Sequence, residues 1–177
     1  MAAAQSVGFV PYGIDPSTEG ILYIKNKLGL MAAESSFPIC EALPFPTPFN
    51  GITMWYVIEH FKNLDSVLTQ VNVLLPKGGV FAFSTPNISG ITGLKSKRAF
   101  RHNSPQDHFT LFDPKSAKKV LKEYGFKVYK VNVTGHHPKR FGGWVRGSFL
   151  SKIIYHISRL FRLGDTFEIY SIKENNL

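Results

Sequence analysis

The chain has 177 residues, of which 44% are hydrophobic, and its formal net charge at neutral pH is +9. This length and composition are typical of one soluble globular domain with its own core, and no apolar run reaches the roughly 18 residues that a membrane-spanning helix needs. The N-terminus lacks the basic start and long apolar run of a signal peptide. Cys40 is the only cysteine, so the chain cannot form an internal disulfide, and no Cys/His spacing typical of a zinc site is present. We therefore expect a reducing, cytoplasmic setting.

The charge is unevenly distributed along the chain. Residues 1–94 carry four Lys or Arg against six Asp or Glu, a balance of −2, whereas residues 95–177 carry 17 against six, a balance of +11. This asymmetry predicts an acidic partner for the second half, such as an anionic membrane surface, a phosphorylated substrate or a nucleic acid. The alternative is a solvated basic face, which we favour over specific nucleic-acid binding because no nucleic-acid motif is visible.

The first part of the chain predicts a helix, a strand and a second helix. Residues 1–7 favour the first helix, residues 9–14 a short strand and residues 18–28 the second helix. Asp15 follows the strand directly, where an acidic residue in dinucleotide-binding folds accepts hydrogen bonds from ribose hydroxyls. The alternative is that Asp15 or Ser17 only caps the second helix.

The central stretch predicts one βαβ unit. Residues 52–58 form an apolar run rich in β-branched and aromatic side chains, which favours a buried strand. The apolar residues of 64–75 recur at helical spacing on one face, and the following Pro-Lys-Gly-Gly turn ends that helix. Residues 80–84 form a second apolar strand. Two strands joined by a crossover helix imply a parallel sheet with a right-handed connection.

Polar residues follow both strands of this unit. Glu59 and His60 come just after the first strand, and residues 84–87 lie at the end of the second. Ligands of open parallel sheets bind beyond the carboxyl ends of the strands, so this is where we expect a site. The alternative is that Glu59 caps the next helix and His60 is a surface loop residue.

The rest of the chain predicts a loop, a helix and a pair of strands. Residues 90–103 have the composition of a loop long enough to cover an active site. Residues 114–124 favour a helix capped by Asp113. Residues 126–133 and 166–172 alternate apolar and polar side chains, and we expect them to pair as antiparallel strands.

An insertion, residues 136–164, separates these two strands. It contains a basic helix with seven apolar residues on one face: Phe149, Leu150, Ile153, Ile154, Ile157, Leu160 and Phe161. Three interpretations stay open: this helix packs on the domain core, covers the substrate site or lies on an anionic membrane. The neighbouring His136 and His137 are weak evidence for a metal site because no acidic partner accompanies them.

The central stretch contains three motifs in order: Ile58-Glu59-His60, Leu74-Leu75-Pro76-Lys77-Gly78-Gly79 and Ser84-Thr85-Pro86-Asn87. Together they resemble those of class I S-adenosylmethionine-dependent methyltransferases, in the group that includes ubiquinone-biosynthesis-type enzymes. The resemblance covers residues 2–135 and 165–173. It implies a single α/β domain, residues 1–177, with a core of 8–135 and 165–173 and a Rossmann-like sheet that is mostly parallel and ends in an antiparallel hairpin.

The resemblance also implies roles for individual residues. The cofactor would be S-adenosylmethionine, bound by Asp15, Pro16, Glu41, Ala42, Trp55, Val57 and Glu59. Asp15 would hold its ribose. His60 and His108 would be candidate catalytic bases, since imidazole titrates near neutral pH. Tyr56 stands where related metal-dependent enzymes carry an acidic residue, so we do not predict a metal.

Two departures from the family pattern predict weak binding of the methyl donor. Family members begin with a strand and a Gly-rich turn, usually Gly-x-Gly-x-Gly, and this sequence contains no such motif. Asn50 stands where an Asp is usual. We therefore expect an N-terminally truncated chain whose Rossmann-like sheet is incomplete and lacks the first strand.

The leading functional hypothesis is methyl transfer from S-adenosylmethionine to an oxygen, nitrogen or carbon atom of a small molecule. The alternative is a non-catalytic, methyltransferase-like remnant that binds a partner or an anionic membrane surface through its basic C-terminal half. A nicotinamide-dependent oxidoreductase is disfavoured because the sequence shows no catalytic Tyr-Lys or Ser-Tyr pattern. The sequence predicts neither the acceptor nor the oligomeric state.

Overall fold

The computed structural model describes residues 1–39, 44–141 and 148–175. The chain forms two compact units, Met1–Thr47 and Pro48–Leu177. The assignment of the whole chain to one domain stays a prediction.

The first unit contains two helices and a two-stranded sheet: helix α1 (Ala2–Ser6), strand β1 (Tyr12–Asp15), helix α2 (Thr18–Leu28) and strand β2 (Met31–Glu34). The two strands pair in parallel, and Asp15 lies opposite Glu34 at their carboxyl ends. The Ser17 hydroxyl caps α2 by accepting the Gly20 N–H at 3.1 Å, which satisfies one of the free amides at the helix start. The helix predicted over residues 18–28 is confirmed.

The second unit is a mixed α/β structure. Its elements are β3 (Gly51–Trp55), α3 (Leu64–Leu74), β4 (Val80–Pro86), α4 (Ile91–Lys95), α5 (Lys97–Asn103), α6 (Pro114–Glu123), β5 (Phe126–Thr134), α7 (Ser148–Leu160) and β6 (Thr166–Lys173). The sheet order is β3-β4-β6-β5. Strands β3 and β4 are parallel, whereas β6 runs antiparallel to both β4 and β5. The predicted βαβ unit and the predicted antiparallel pair are both confirmed.

Strand β4 lies at the centre of the core. Its residues 81–85 are all buried, as expected for a strand that is covered on both faces. Phe81 contacts Phe126, and Phe83 contacts Phe112 and Phe167, with ring centroids 5.7–6.3 Å apart. Full burial of a side chain of this size contributes roughly 1.5–3 kcal/mol, so this aromatic cluster is a major source of stability for the second unit.

A buried lysine closes the C-terminal end of α3. Lys173 donates its Nζ protons to the carbonyl oxygens of Asn72 and Leu75, at 2.6 and 2.8 Å. The last carbonyls of a helix have no partner within the helix, and a cation there also interacts favourably with the helix dipole. This contact fastens β6 to the end of α3.

Two sequence predictions about local structure are corrected. The strand predicted over residues 52–58 ends at Trp55, because Tyr56 adopts a left-handed backbone conformation with φ of 55°. The loop predicted over residues 90–103 contains the short helices α4 and α5. Ser96 caps the second of these by accepting the Ala99 N–H at 3.1 Å, a contact that favours helix over loop.

Helix α7 packs through only a narrow strip of its surface. Among the seven apolar residues of the predicted face, all of which the structure describes, Ile154 alone is buried. Ser158, one turn later, is also buried, and its Oγ lies 2.7 Å from His136 Nδ1. Within the described ranges, no helix is both long and apolar enough to cross a membrane.

A buried carboxylate fastens α4 to the start of β6. Asp165 is 5% exposed and accepts hydrogen bonds from Thr92 N–H, Thr92 Oγ1–H and Arg140 Nη1, at 2.8, 2.7 and 2.7 Å. Charge-assisted hydrogen bonds of this kind are among the stronger ones in proteins. The carboxylate therefore links three segments that are distant in sequence.

Replacing Asp165 with Asn should lower the free energy of unfolding by about 2–3 kcal/mol. The NH₂ group of the new amide would face the hydrogen-bond donors of Thr92 and Arg140. Arg140 would also lose the negative charge with which it pairs. Urea unfolding followed by circular dichroism measures this change. Glu174→Gln is the control, because it removes an exposed partner of Lys127 and should cost less than about 1 kcal/mol. Equal losses in the two variants would contradict the role given to Asp165.

Candidate functional site

The turn after β3 places the residues of the candidate site. Tyr56 is held in the left-handed conformation, and its N–H lies 3.0 Å from the Ser84 carbonyl oxygen and 3.1 Å from Ser84 Oγ. A left-handed conformation costs a non-glycine residue roughly 1–2 kcal/mol, and such strain is common at functional sites. A single 3-10 turn, Ile58–His60, follows and carries both predicted polar residues.

Glu59 is turned into the protein interior. It is 1% exposed, and its carbonyl oxygen accepts the N–H groups of Phe109 and Thr110 at 2.8 and 3.3 Å. Its carboxyl atom Oε2 is buried and has no hydrogen-bond partner among the described residues. An unpaired buried polar atom costs about 1–3 kcal/mol, so it indicates a place where a ligand atom would be favourable. The alternative that Glu59 caps α3 is wrong, because Asn63 Oδ1 caps that helix.

His60 is half-buried and is oriented by an acidic neighbour. Its Nδ1 is 3.0 Å from Asp107 Oδ2. A carboxylate at this distance favours the tautomer with a proton on Nδ1, which leaves Nε2 able to accept a proton or bind a ligand. Sequence reasoning missed Asp107, although it directly precedes the predicted residue His108.

The structure brings the two predicted bases together. The rings of His60 and His108 meet edge to face, with centroids 4.7 Å apart. Nδ1 of His108 is buried and has no hydrogen-bond partner within the part of the chain that is described. One donor atom from each of Glu59, His60 and His108 lies within 4.8 Å of the others. We call these three residues the rim cluster.

The rim cluster has two chemical capabilities. Two imidazoles beside a carboxyl can accept a proton and pass it on. A carboxylate and two imidazoles are also a donor set that suits a divalent transition-metal ion. The sequence prediction that no metal binds stays a prediction.

The residues predicted to bind the donor in the first unit lie at the end of β1. Asp15 is exposed, and its Oδ1 accepts the Ser17 N–H at 2.8 Å. Pro16 is exposed beside it. Of the two caps that the alternative named, Ser17 is the one that caps α2, and Asp15 precedes it. Glu41 and Ala42 lie outside the described residues.

Trp55 and Val57 flank the left-handed turn, and both are exposed. The Trp55 ring lies 6.2 Å from the ring of Tyr170 on β6. Burial raises the pKa of Tyr170 to about 12, and a hydrogen bond from its hydroxyl to Glu168 adds to the shift. Tyr170 therefore stays neutral at physiological pH and offers its ring as an apolar neighbour of Trp55.

In the Ser-Thr-Pro-Asn motif, Ser84 and Asn87 make side-chain hydrogen bonds that support the structure. Asn87 is fully buried; it donates to the Gly164 carbonyl at 2.8 Å and accepts hydrogen bonds from Ser89. Ser84 holds the turn at Tyr56. Ser84 thus holds the turn that leads to the rim cluster, whereas Asn87 holds the segments around Gly164 and Ser89.

Replacing Glu59 with Gln should leave the free energy of unfolding unchanged or raise it by about 1 kcal/mol. The amide keeps the shape of the side chain and costs less to bury than a carboxylate. Asp165→Asn is the matched control, because it makes the same chemical change at a carboxylate whose hydrogen bonds are satisfied. Urea unfolding of both variants should show a loss of stability for Asp165→Asn and none for Glu59→Gln. A loss at Glu59 as large as that at Asp165 would show that Glu59 only stabilises the fold.

Comparison with known proteins gives one family match. Residues 1–131 match the model of a family described as a methyltransferase domain. A search of curated proteins finds no match to the chain.

The solved structures that resemble this chain share its fold at low sequence identity. A SAM-dependent methyltransferase from Archaeoglobus fulgidus gives a TM-score of 0.66 at 16% identity, over 97% of this chain and 79% of that one. A putative S-adenosylmethionine-dependent methyltransferase from Listeria monocytogenes gives 0.65 at 13% identity, over 98% and 85%. Magnesium protoporphyrin IX methyltransferase from Synechocystis, solved with bound SAH, gives 0.61 at 9% identity, over 96% and 66%.

These findings confirm the family and the fold predicted from the sequence motifs. The family match covers most of the chain, and the structural matches extend over nearly all of it. The chain belongs to the methyltransferase-domain family and has the Rossmann-like α/β fold of the class I S-adenosylmethionine-dependent methyltransferases.

Proposed function

We propose that the chain transfers a methyl group from S-adenosylmethionine to an oxygen, nitrogen or carbon atom of a small-molecule acceptor. The family supports methyl transfer in general. The observation that carries the proposal for this chain is the rim cluster, in which two imidazoles and a buried carboxyl meet beyond the end of β3. Nucleophilic attack on a methyl group is helped by a base near the acceptor.

The donor-binding part of the proposal rests first on Asp15. S-Adenosylmethionine supplies a methyl group that its sulfonium makes electrophilic. Asp15 is an exposed carboxylate at the carboxyl end of a parallel strand, and a carboxylate can accept hydrogen bonds from two ribose hydroxyls. This geometry fits the group. Pro16, Trp55, Val57 and Glu59, with Glu41 and Ala42, complete the proposed set.

The acceptor part of the proposal assigns the base to His60. Its Nε2 takes the proton that the acceptor atom loses as it becomes nucleophilic. Asp107, 3.0 Å from Nδ1, keeps the ring in the required tautomer and stabilises the imidazolium that forms. His108 packs against this ring and offers a second site for the proton.

His60→Asn should lower kcat for methyl transfer by about 10²–10⁴-fold, because an asparagine amide at this position cannot take the proton that the acceptor atom loses. The assay follows radiolabelled methyl from S-adenosylmethionine into phenolic, amine and enolisable carbon acceptors. Donor affinity should not change. His156→Asn is the control, since it removes an exposed histidine from α7. A His60→Asn variant with the parent rate would contradict the assignment.

We also propose that this sequence binds the donor weakly, because it contains no Gly-x-Gly-x-Gly turn. Isothermal titration of the 177-residue chain with S-adenosylmethionine should give a Kd weaker than micromolar. Asp15→Asn should weaken it further, whereas Glu19→Gln, an exposed change on α2, should not. A micromolar Kd would contradict the impairment, and equal affinity of Asp15→Asn and its parent would contradict the ribose role.

The charge pattern favours a second candidate function, in which the chain binds a partner or an anionic membrane surface without catalysis. Residues 124–164 contain eight Lys or Arg and no Asp or Glu. The labelling assay separates the two candidates. Turnover by the parent chain that His60→Asn abolishes would exclude a purely non-catalytic role.

A further inference from the structure

Helix α7 carries a row of apolar side chains that the fold does not use. We define the apolar stripe of α7 by five residues: Phe149 (76% exposed), Ile153 (40%), Ile157 (41%), Leu160 (77%) and Phe161 (65%). At about 100° per residue, the four of these within the helix fall in an arc of about 80°. The contacts that hold α7 in place come from a different arc, which contains Ile154 and Ser158.

Basic side chains lie directly beside the apolar stripe. Lys152, His156 and Arg159 are exposed and fall in an arc of about 60° next to it, and exposed Arg162 follows the helix. A depression of about 410 Å³ is lined by Ser151 of α7 and by the preceding His137, Lys139 and Arg140. Residues 124–164 contain no Asp or Glu; Arg140 pairs with Asp165, just outside this stretch.

We propose that α7 docks this protein on an anionic lipid surface, with the apolar stripe among the upper acyl chains and the neighbouring cations on lipid phosphates. An exposed apolar face beside a cationic one is the chemistry that such a surface recognises, and each Lys or Arg near it adds to the attraction. The 13-residue helix is about 20 Å long, shorter than the roughly 30 Å of a bilayer core. It therefore lies along the surface.

Other occupants fit the same residues less well. A nucleic acid would contact the cations through its phosphates but would leave the apolar stripe in water. A second copy of the chain, packed symmetrically through α7, would bring two cationic faces together, which opposes association. An anionic lipid surface offers acyl chains to the apolar stripe and phosphates to the basic side chains.

Vesicle flotation tests the proposal with the full chain. The protein should float with vesicles of phosphatidylcholine and phosphatidylglycerol at a ratio of about 7:3 and should not float with phosphatidylcholine alone, since surface charge supplies much of the attraction. Arg159→Glu with Arg162→Glu should reduce binding at least about tenfold. Phe149→Ser with Leu160→Ser should reduce it by a similar factor, because the apolar contribution is lost.

Two matched controls keep the test specific. Lys118→Glu with Lys119→Glu makes the same charge change on exposed positions of α6, and Val73→Ser removes an exposed apolar side chain from α3; both should float like the parent. Circular dichroism confirms that each variant is folded. The proposal would be overturned if the parent protein floated equally well with neutral vesicles or did not float at all. It would also be overturned if either pair of α7 substitutions left flotation unchanged. None of these results depends on methyl transfer, so the two proposals fail separately.

Discussion

The left-handed turn at Tyr56 is the constraint on which the candidate site depends. The Tyr56 N–H is held by Ser84, so the end of β4 fixes the path that the chain takes after β3. After the turn, Glu59 lies in the interior and His60 is half-buried beside His108. The conformational cost of the turn is of order 1 kcal/mol, which is comparable to the net stabilisation that its hydrogen bonds provide.

Buried polar residues of the second unit differ in how well their hydrogen bonds are satisfied. Asn87 and Asp165 are buried and make several hydrogen bonds each, and they hold the surrounding segments together. Glu59 and His108 each have a buried polar atom without a partner among the described residues. Since folding rarely leaves such atoms unpaired, Asn87 and Asp165 serve the fold, and the free atoms of Glu59 and His108 are available for a ligand.

Local sequence signals could predict most of the fold, but contacts between distant segments could not be predicted. The spacing of apolar residues gave α3 within one residue, and the bounds of α2 matched. The end of β3 was missed because residues 56–58 are themselves apolar, and only the contact with Ser84 reveals the turn. Asp107 was missed because its pairing with His60 requires the fold. The sequence of α7 shows one apolar face, but it does not distinguish the narrow strip that packs on the fold from the wider stripe that is exposed.

The central claim is that the Tyr56 turn and Asp107 together present His60 with a free Nε2 toward an acceptor. Long-range ¹⁵N–¹H correlation spectra of the imidazole rings report the tautomer of each histidine directly. We expect neutral His60 to carry its proton on Nδ1, and Asp107→Ala to abolish this preference while His156 on α7 is unaffected. A neutral His60 protonated on Nε2 in the parent chain would contradict it.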